Sequence, residues 1–180
     1  MKITATPITM TPEEAMKEAR KGGNIFGKAL YGNGEISLRL IYLESREVIL
    51  DLYYQPAPLM RWLGKEKDPD KPNKKIRMVV EGTRGGASYA GEPIKTCEIE
   101  VDDKAIQKTE FSDDKIVQSA SRLAQRMVRR QIGKVVIARL HAMRSIYRPY
   151  YVAFYGKMEM GQKVRYQAIA ADGNRIERAL

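Results

Sequence analysis

Chemistry in this chain would have to be built from very few nucleophiles and bases. His141 is the only histidine and Cys97 the only cysteine. A Ser–His–Asp arrangement must therefore use His141, and a thiol–imidazole pair must join Cys97 to it. His141 falls between Leu140 and Ala142 in a segment that reads as a strand, where a histidine without a catalytic part is the commoner case. A metal site made of several histidines is excluded by count, and one cysteine rules out an internal disulfide or a cysteine-rich zinc cluster. Carboxylates are more plentiful. Asp102-Asp103 and Asp113-Asp114 fall in a turn and at a helix start, where acids have local structural roles. Asp51 and Glu81, within or beside strands, are the better acid–base candidates. Gly82-Thr83-Arg84-Gly85-Gly86-Ala87-Ser88 has the glycine content of a phosphate cradle. It lacks the lysine followed by Ser or Thr at a helix start, so it reads as a hairpin turn. Its one alternative is an anion site of backbone amides with Arg84. No cofactor or metal motif is present.

The stronger signal is charge. The chain carries a net charge of +10, and residues 111–180 hold 14 Lys or Arg against 5 Asp or Glu. Nearly all the positive excess belongs to that segment. Such asymmetry is met in proteins that bind acidic proteins or nucleic acid, and also on surfaces kept charged for solubility. Arg122, Arg126, Arg129, Arg130 and Lys134 fall off the apolar stripe of one helix, and Arg144, Arg148 and Arg165 lie on strands. These eight are the candidate contacts for an anionic partner. Tyr147, Tyr150 and Tyr151 are interleaved with the strand arginines as candidate aromatic contacts, a pattern that can stack bases and pair phosphates. Strand alternation sends half of such side chains inward, so core packing competes with this reading.

The elements that position these residues read as follows. Thr11-Pro12-Glu13-Glu14 opens a short helix with a capping threonine, a proline at the first turn and acids at the positive end of the dipole. Gly22-Gly23 closes it. Ile36 to Leu40 and Val48 to Tyr54 read as strands with a turn at Ser45-Arg46-Glu47. Residues 59–63 suggest a helical turn, and Lys65 to Lys75 a polar loop. Ile76 to Val80, Ala87 to Tyr89 and Cys97 to Val101 follow as strands, with Ala105 to Glu110 pairing the last of them. The clearest element is a helix at 113–132, with Ser112 as N-cap, Phe111 and Ile116 as a hydrophobic staple, and Gly133 as its stop. Val135 to Ile146 and Tyr150 to Tyr155 are strands about a turn at Tyr147-Arg148-Pro149. Val164 to Ala170 and Arg175 to Leu180 complete the set.

This order of helix, strand, strand, loop, strand, turn, strand occurs twice. Residues 45–54 set above 147–156 match in pattern rather than identity, and Lys75-Ile76-Arg77 corresponds to Lys163-Val164-Arg165. The expected fold is α+β: two similar modules, 1–110 and 111–180, each a helix on an antiparallel meander, together able to form one compact domain. Tyr147, Pro149-Tyr150-Tyr151-Val152, Tyr155 and Ala171-Asp172-Gly173-Asn174 give residues 112–180 a pattern that resembles PepSY-type modules. The likeness is fainter over 11–90. Asn174-Arg175 stands where that family usually has a threonine–glycine pair. The resemblance implies non-catalytic binding or regulation. No apolar run reaches the length of a signal peptide's core or a membrane span, which points to the cytoplasm. The leading expectation is therefore a non-catalytic binding protein, with homodimerisation through a sheet edge as a further contact. A nucleic-acid-binding protein using the basic segment comes second. An enzyme with a site between the modules comes third.

Overall fold

The structure, a computed structural model, describes residues 1–21, 36–54, 71–156 and 165–173. The elements, in chain order, are β1 (Lys2–Ala5), α1 (Pro12–Lys21), β2 (Ile36–Tyr53), β3 (Lys74–Glu81), β4 (Ala87–Tyr89), β5 (Cys97–Glu100), β6 (Ile106–Gln107), α2 (Asp113–Ile132), β7 (Ile137–Tyr155) and β8 (Arg165–Ala170). The strands form one mixed sheet of eight, in the order β4-β3-β2-β7-β1-β5, with β6 on β2 and β8 on β7. This overturns the expectation of two modules, each a helix on its own antiparallel meander. The fold is α+β, but two described helices accompany a single sheet that contains parallel pairs. Ala5 of β1 lies beside Tyr147 of β7, and Tyr42-Leu43 of β2 beside Ile106-Gln107 of β6, both in parallel.

The reason lies in two segments that read as turns and are strand. Ser45-Arg46-Glu47 continues β2 without a break, pairing Ser45 with Glu81, Arg46 with Val80 and Glu47 with Val79. No glycine, proline or asparagine interrupts it, and its charges are met by partners: Arg46 by Asp113, and Glu47 by Arg77 and Arg144. Tyr147-Arg148-Pro149 likewise continues β7. Pro149 offers its carbonyl to Ala171 N–H at 2.9 Å, and a proline is tolerated in a strand where its nitrogen need not donate. Strand β1 was not anticipated, and β6 pairs with β2 rather than with β5. The expected elements at 59–63 and 175–180, and most of the loop 65–75, lie outside the described residues.

Two compact units share the chain, and β2 and β7 contribute to both. The first comprises Met1–Glu44, Lys95–Lys108 and Ile146–Ile176. In it α1 begins with a reciprocal cap. Glu14 N–H donates to Thr11 Oγ1 at 3.2 Å, and Thr11 N–H donates to a Glu14 carboxylate oxygen at 2.8 Å. Ala15 and Ala19 are buried against Tyr151, Ala153, Ile169 and Ala171. A second cluster joins Ile3, Ala5, Tyr42 and Tyr147. The Tyr155 hydroxyl donates to the Ala19 carbonyl at 2.7 Å and ties α1 to β7.

Burial pushes the phenols of Tyr155 and Tyr42 above the usual tyrosine range. Arg165, stacked on the Tyr155 ring, opposes that shift, and Tyr151 and Cys97 add to it at Tyr42. A raised phenol favours the protonated form in the fold, so its stabilisation is complete below the ordinary value of about 10 and is lost as pH rises through the raised one. Denaturant titrations are therefore expected to show this contribution unchanged from neutral pH to just below about pH 10 and falling as pH rises beyond it. Tyr155→Phe should lose about 1 kcal/mol at neutral pH, from the missing hydrogen bond, and show a shallower alkaline decline.

The second unit takes in the described residues of Ser45–Ile94 and Thr109–Ser145. Here α2 occupies the predicted span. Ile116, Ala120, Ala124 and Val128 recur every four residues and are buried on Val48, Leu50, Leu52, Ile76, Met78 and Val80. Alanine at two of the four helix positions lets the backbone approach the sheet closely. Ser112 has the extended N-cap backbone, although its hydroxyl makes no capping bond. Gly133 takes the left-handed conformation, φ 66°, and its N–H donates to the Arg129 carbonyl.

Candidate functional site

Two sites in the second unit carry chemistry, one on each face of its sheet. The first lies on the α2 face. The β3–β4 turn passes beside the first half of α2, where the Ser119 hydroxyl donates to the Gly85 carbonyl at 2.7 Å. Gly85 sits at φ +66°, and a Cβ there would meet the Phe111 ring at 3.3 Å, so both the backbone and the space call for glycine. Between turn and helix runs a groove of about 460 Å³. Ala87, Phe111, Ile116 and Leu123 contribute its apolar lining, and Arg84, Lys115, Arg122 and Arg126 its cations. Among the described residues no carboxylate lines it. Lys115, Arg122 and Arg126 recur at seven- and four-residue steps and share one helix stripe. All three are exposed, and none forms an ion pair or a hydrogen bond among the described residues. Arg84 is likewise unpaired there.

The arrangement joins two features that are separate in the sequence: the glycine-rich turn with Arg84, and the basic face of the helix. Lys115 escaped the sequence reading. Its signal was the seven-residue step to Arg122, obscured by the adjacent Asp113 and Asp114.

The remaining candidates are dispersed. Arg129 and Arg130 are exposed in the last turn of α2, and Lys134 is half-buried just beyond it. Arg144 is bound to the Glu47 carboxylate and donates to the Ile94 carbonyl at 3.4 Å. Arg148, in the first unit, is buried on Asp172. Arg165 lies over the Tyr155 ring, also in the first unit. Tyr147, Tyr150 and Tyr151 are each no more than 8% exposed, so they pack the first unit's core rather than present rings to a partner.

The second site is on the sheet face opposite α2, where alternation places Glu47, Asp51 and Tyr53 of β2. The side chain of Glu47 is 4% exposed and lies between two arginines. Arg77 Nε is 2.8 Å from Oε1 but out of line for a hydrogen bond, so that contact is ionic. Arg144 Nε donates to Oε2. Beside this pair, Asp51 Oδ2 is 3.0 Å from His141 Nδ1, and His141 Nε2 is 3.0 Å from Lys75 Nζ. Asp51 Oδ1 is buried with no hydrogen-bond partner. Arg139 stacks on Tyr53, 4.9 Å from the ring centroid.

The structure thus brings His141 and Asp51 together. Glu81 instead accepts from Thr83 Oγ1 at 3.0 Å, and Cys97, in the first unit, points its thiol at the Ala5 carbonyl. Among the described residues no serine or cysteine is bonded to His141, and no group of three His, Cys, Asp or Glu residues is placed to hold a metal ion. No helix among them is long and apolar enough to cross a membrane.

No protein-family model, curated protein or solved structure matches this chain.

Proposed function

We propose that this is a non-catalytic binding protein whose second unit takes an acidic protein segment into the groove beside α2. The observation that carries the reading is the convergence of Arg84, Lys115, Arg122 and Arg126 on one groove that has an apolar lining and, among the described residues, no acidic one. An extended acidic segment matches both parts: its carboxylates meet the cations, and one apolar side chain covers the Phe111–Leu123 lining. Nucleic acid fits less well. Single strands are held by aromatic platforms as well as by charge, and Phe111 is the sole aromatic among the described lining residues, already packed on Gly85. The likeness to PepSY-type modules implies the same class of role.

The test is fluorescence anisotropy with a labelled peptide of alternating glutamate and leucine, and a thymidine oligonucleotide as the competing probe. The peptide is expected to bind at low salt. Raising salt toward 0.15 M, where screening acts over about 8 Å, should weaken it steeply. Arg122→Ala and Arg126→Ala should each cost at least about tenfold in Kd, since a charged hydrogen bond is worth about 1.5–3 kcal/mol. Leu123→Asp should abolish binding. Undetectable peptide binding, an affinity unmoved by these changes, or tighter binding of the oligonucleotide would overturn the reading.

A further inference from the structure

The groove makes no use of the Asp51–His141–Lys75 line on the other face of the same unit. The hydrogen-bonding capacity of its three members orders it. An ammonium group has only donors, so a protonated Lys75 requires His141 Nε2 to accept. The imidazole proton then resides on Nδ1, where Asp51 Oδ2 accepts it at 3.0 Å. If the Lys75 proton instead passes across the 3.0 Å gap to Nε2, the result is a free amine beside an imidazolium already held by a carboxylate. One proton separates the two states, and no group need move. This is the triad arrangement of carboxylate and imidazole with an amine in the nucleophile's place.

The surroundings bear on the same amine. Lys75 lies directly opposite Asp51 in the β2–β3 register. Among the described residues, the charged and titratable groups on this face are Glu47, Asp51 and Tyr53 from β2, Lys75 and Arg77 from β3, and Arg139, His141 and Arg144 from β7. Glu47 is occupied by Arg77 and Arg144. Asp51 is therefore the carboxylate left for His141, and its second oxygen is turned to no other partner among the described residues. Lys75 is exposed, with room for a reactant to approach.

We propose that Lys75 is an activated amine that condenses with aldehydes, with His141 as its general base and Asp51 as the positioning residue. The ammonium gives a proton to His141 Nε2, and the freed lone pair adds to the carbonyl carbon. The C=O π electrons pass to oxygen, which takes the proton back from the imidazolium. His141 then removes a second proton from nitrogen and returns it to the hydroxyl as it departs as water. The nitrogen lone pair closes the C=N bond. Aldehyde and ammonium give iminium and water, and His141 ends as it began. No oxidant or reductant is consumed.

Lys74 supplies the control inside the same molecule. It is exposed, adjacent in sequence and, by alternation, on the opposite face of the strand. The experiment treats the full chain with a limiting amount of propanal and cyanoborohydride at neutral pH, then compares alkylation at the two lysines by peptide mass mapping. Lys75 is expected to exceed Lys74 by at least about tenfold, the low end of what a positioned base contributes. His141→Gln should bring the ratio close to one. Asp51→Asn, which keeps an acceptor for Nδ1 but removes the charge, should give an intermediate ratio. Circular dichroism checks that each variant is folded. Equal labelling of Lys74 and Lys75 in the unaltered chain, or a ratio that His141→Gln leaves unchanged, overturns the proposal.

Discussion

Arg148→Ala is expected to destabilise the protein by about 3–5 kcal/mol, the usual cost of stranding one member of a buried ion pair. The Arg148 and Asp172 side chains are 4% and 1% exposed. The fork is bidentate, with Nε donating to Oδ2 at 2.7 Å and Nη2 to Oδ1 at 2.8 Å. Thr6 Oγ1 also donates to Oδ2 at 3.1 Å. Deleting the guanidinium leaves a carboxylate that is 1% exposed without the cation that matched it. The site also joins three stretches of chain: Thr6 N–H donates to the Tyr147 carbonyl, and Ala171 N–H to the Pro149 carbonyl. Arg148→Lys should recover only part of the loss, because a single ammonium does not reproduce two parallel bonds. Chemical denaturation checks both, with the Lys2–Glu98 pair as the comparison. Its side chains are 71% and 63% exposed, so Lys2→Ala should shift stability by no more than about 1 kcal/mol. Equal effects for Arg148→Ala and Lys2→Ala would refute the account of Arg148.

Arg148 also shows where sequence reading ends. In the sequence it is one more arginine among tyrosines, and nothing local separates a side chain that meets Asp172 from one that meets a partner. The same holds for Arg144, whose partner Glu47 lies 97 residues away. Charge counts are local, and pairing is set by register between distant strands. What was legible is what local physics decides. The span of α2 follows from its four-residue apolar recurrence, its acidic first turn and Gly133. The start of α1 follows from Thr11, Pro12 and Glu14. The apolar alternation of β3 and its inward Ile76, Met78 and Val80 were also readable. The two false turns share one cause. Ser45-Arg46-Glu47 and Tyr147-Arg148-Pro149 look like breaks because they are polar or contain proline, yet all but the partly buried Arg46 are buried, and their charges are matched. A buried ion pair reads in one dimension as a loop. Two long strands were thereby cut in half, and the single mixed sheet was mistaken for two meanders. Of the groove, Arg122 and Arg126 were legible as a basic helix face. Their meeting with Arg84 depends on the β3–β4 turn folding back on α2.

The Glu47 cluster should reveal itself by non-additivity. Arg77 and Arg144 hold the two oxygens of one buried carboxylate, and their own side chains are 25% and 49% exposed. Removing either arginine leaves Glu47 a partner, and the half-exposed survivor adjusts toward it. Arg77→Met or Arg144→Met alone should therefore cost only about 1–2 kcal/mol. Removing both leaves an unpaired charge under the sheet face, and the double variant should lose about 3–5 kcal/mol. The decisive variant adds Glu47→Met to that pair. It lowers the number of native interactions further, yet it removes the stranded charge and lets three methionine side chains fill the space. If burial without compensation is what hurts, the triple variant should be more stable than the double one by at least about 2 kcal/mol. Denaturant midpoints at matched ionic strength measure this, with unchanged m-values as the check that the unit still unfolds as one. A triple variant no better than the double would mean that Glu47 contributes through specific bonds to its strand neighbours.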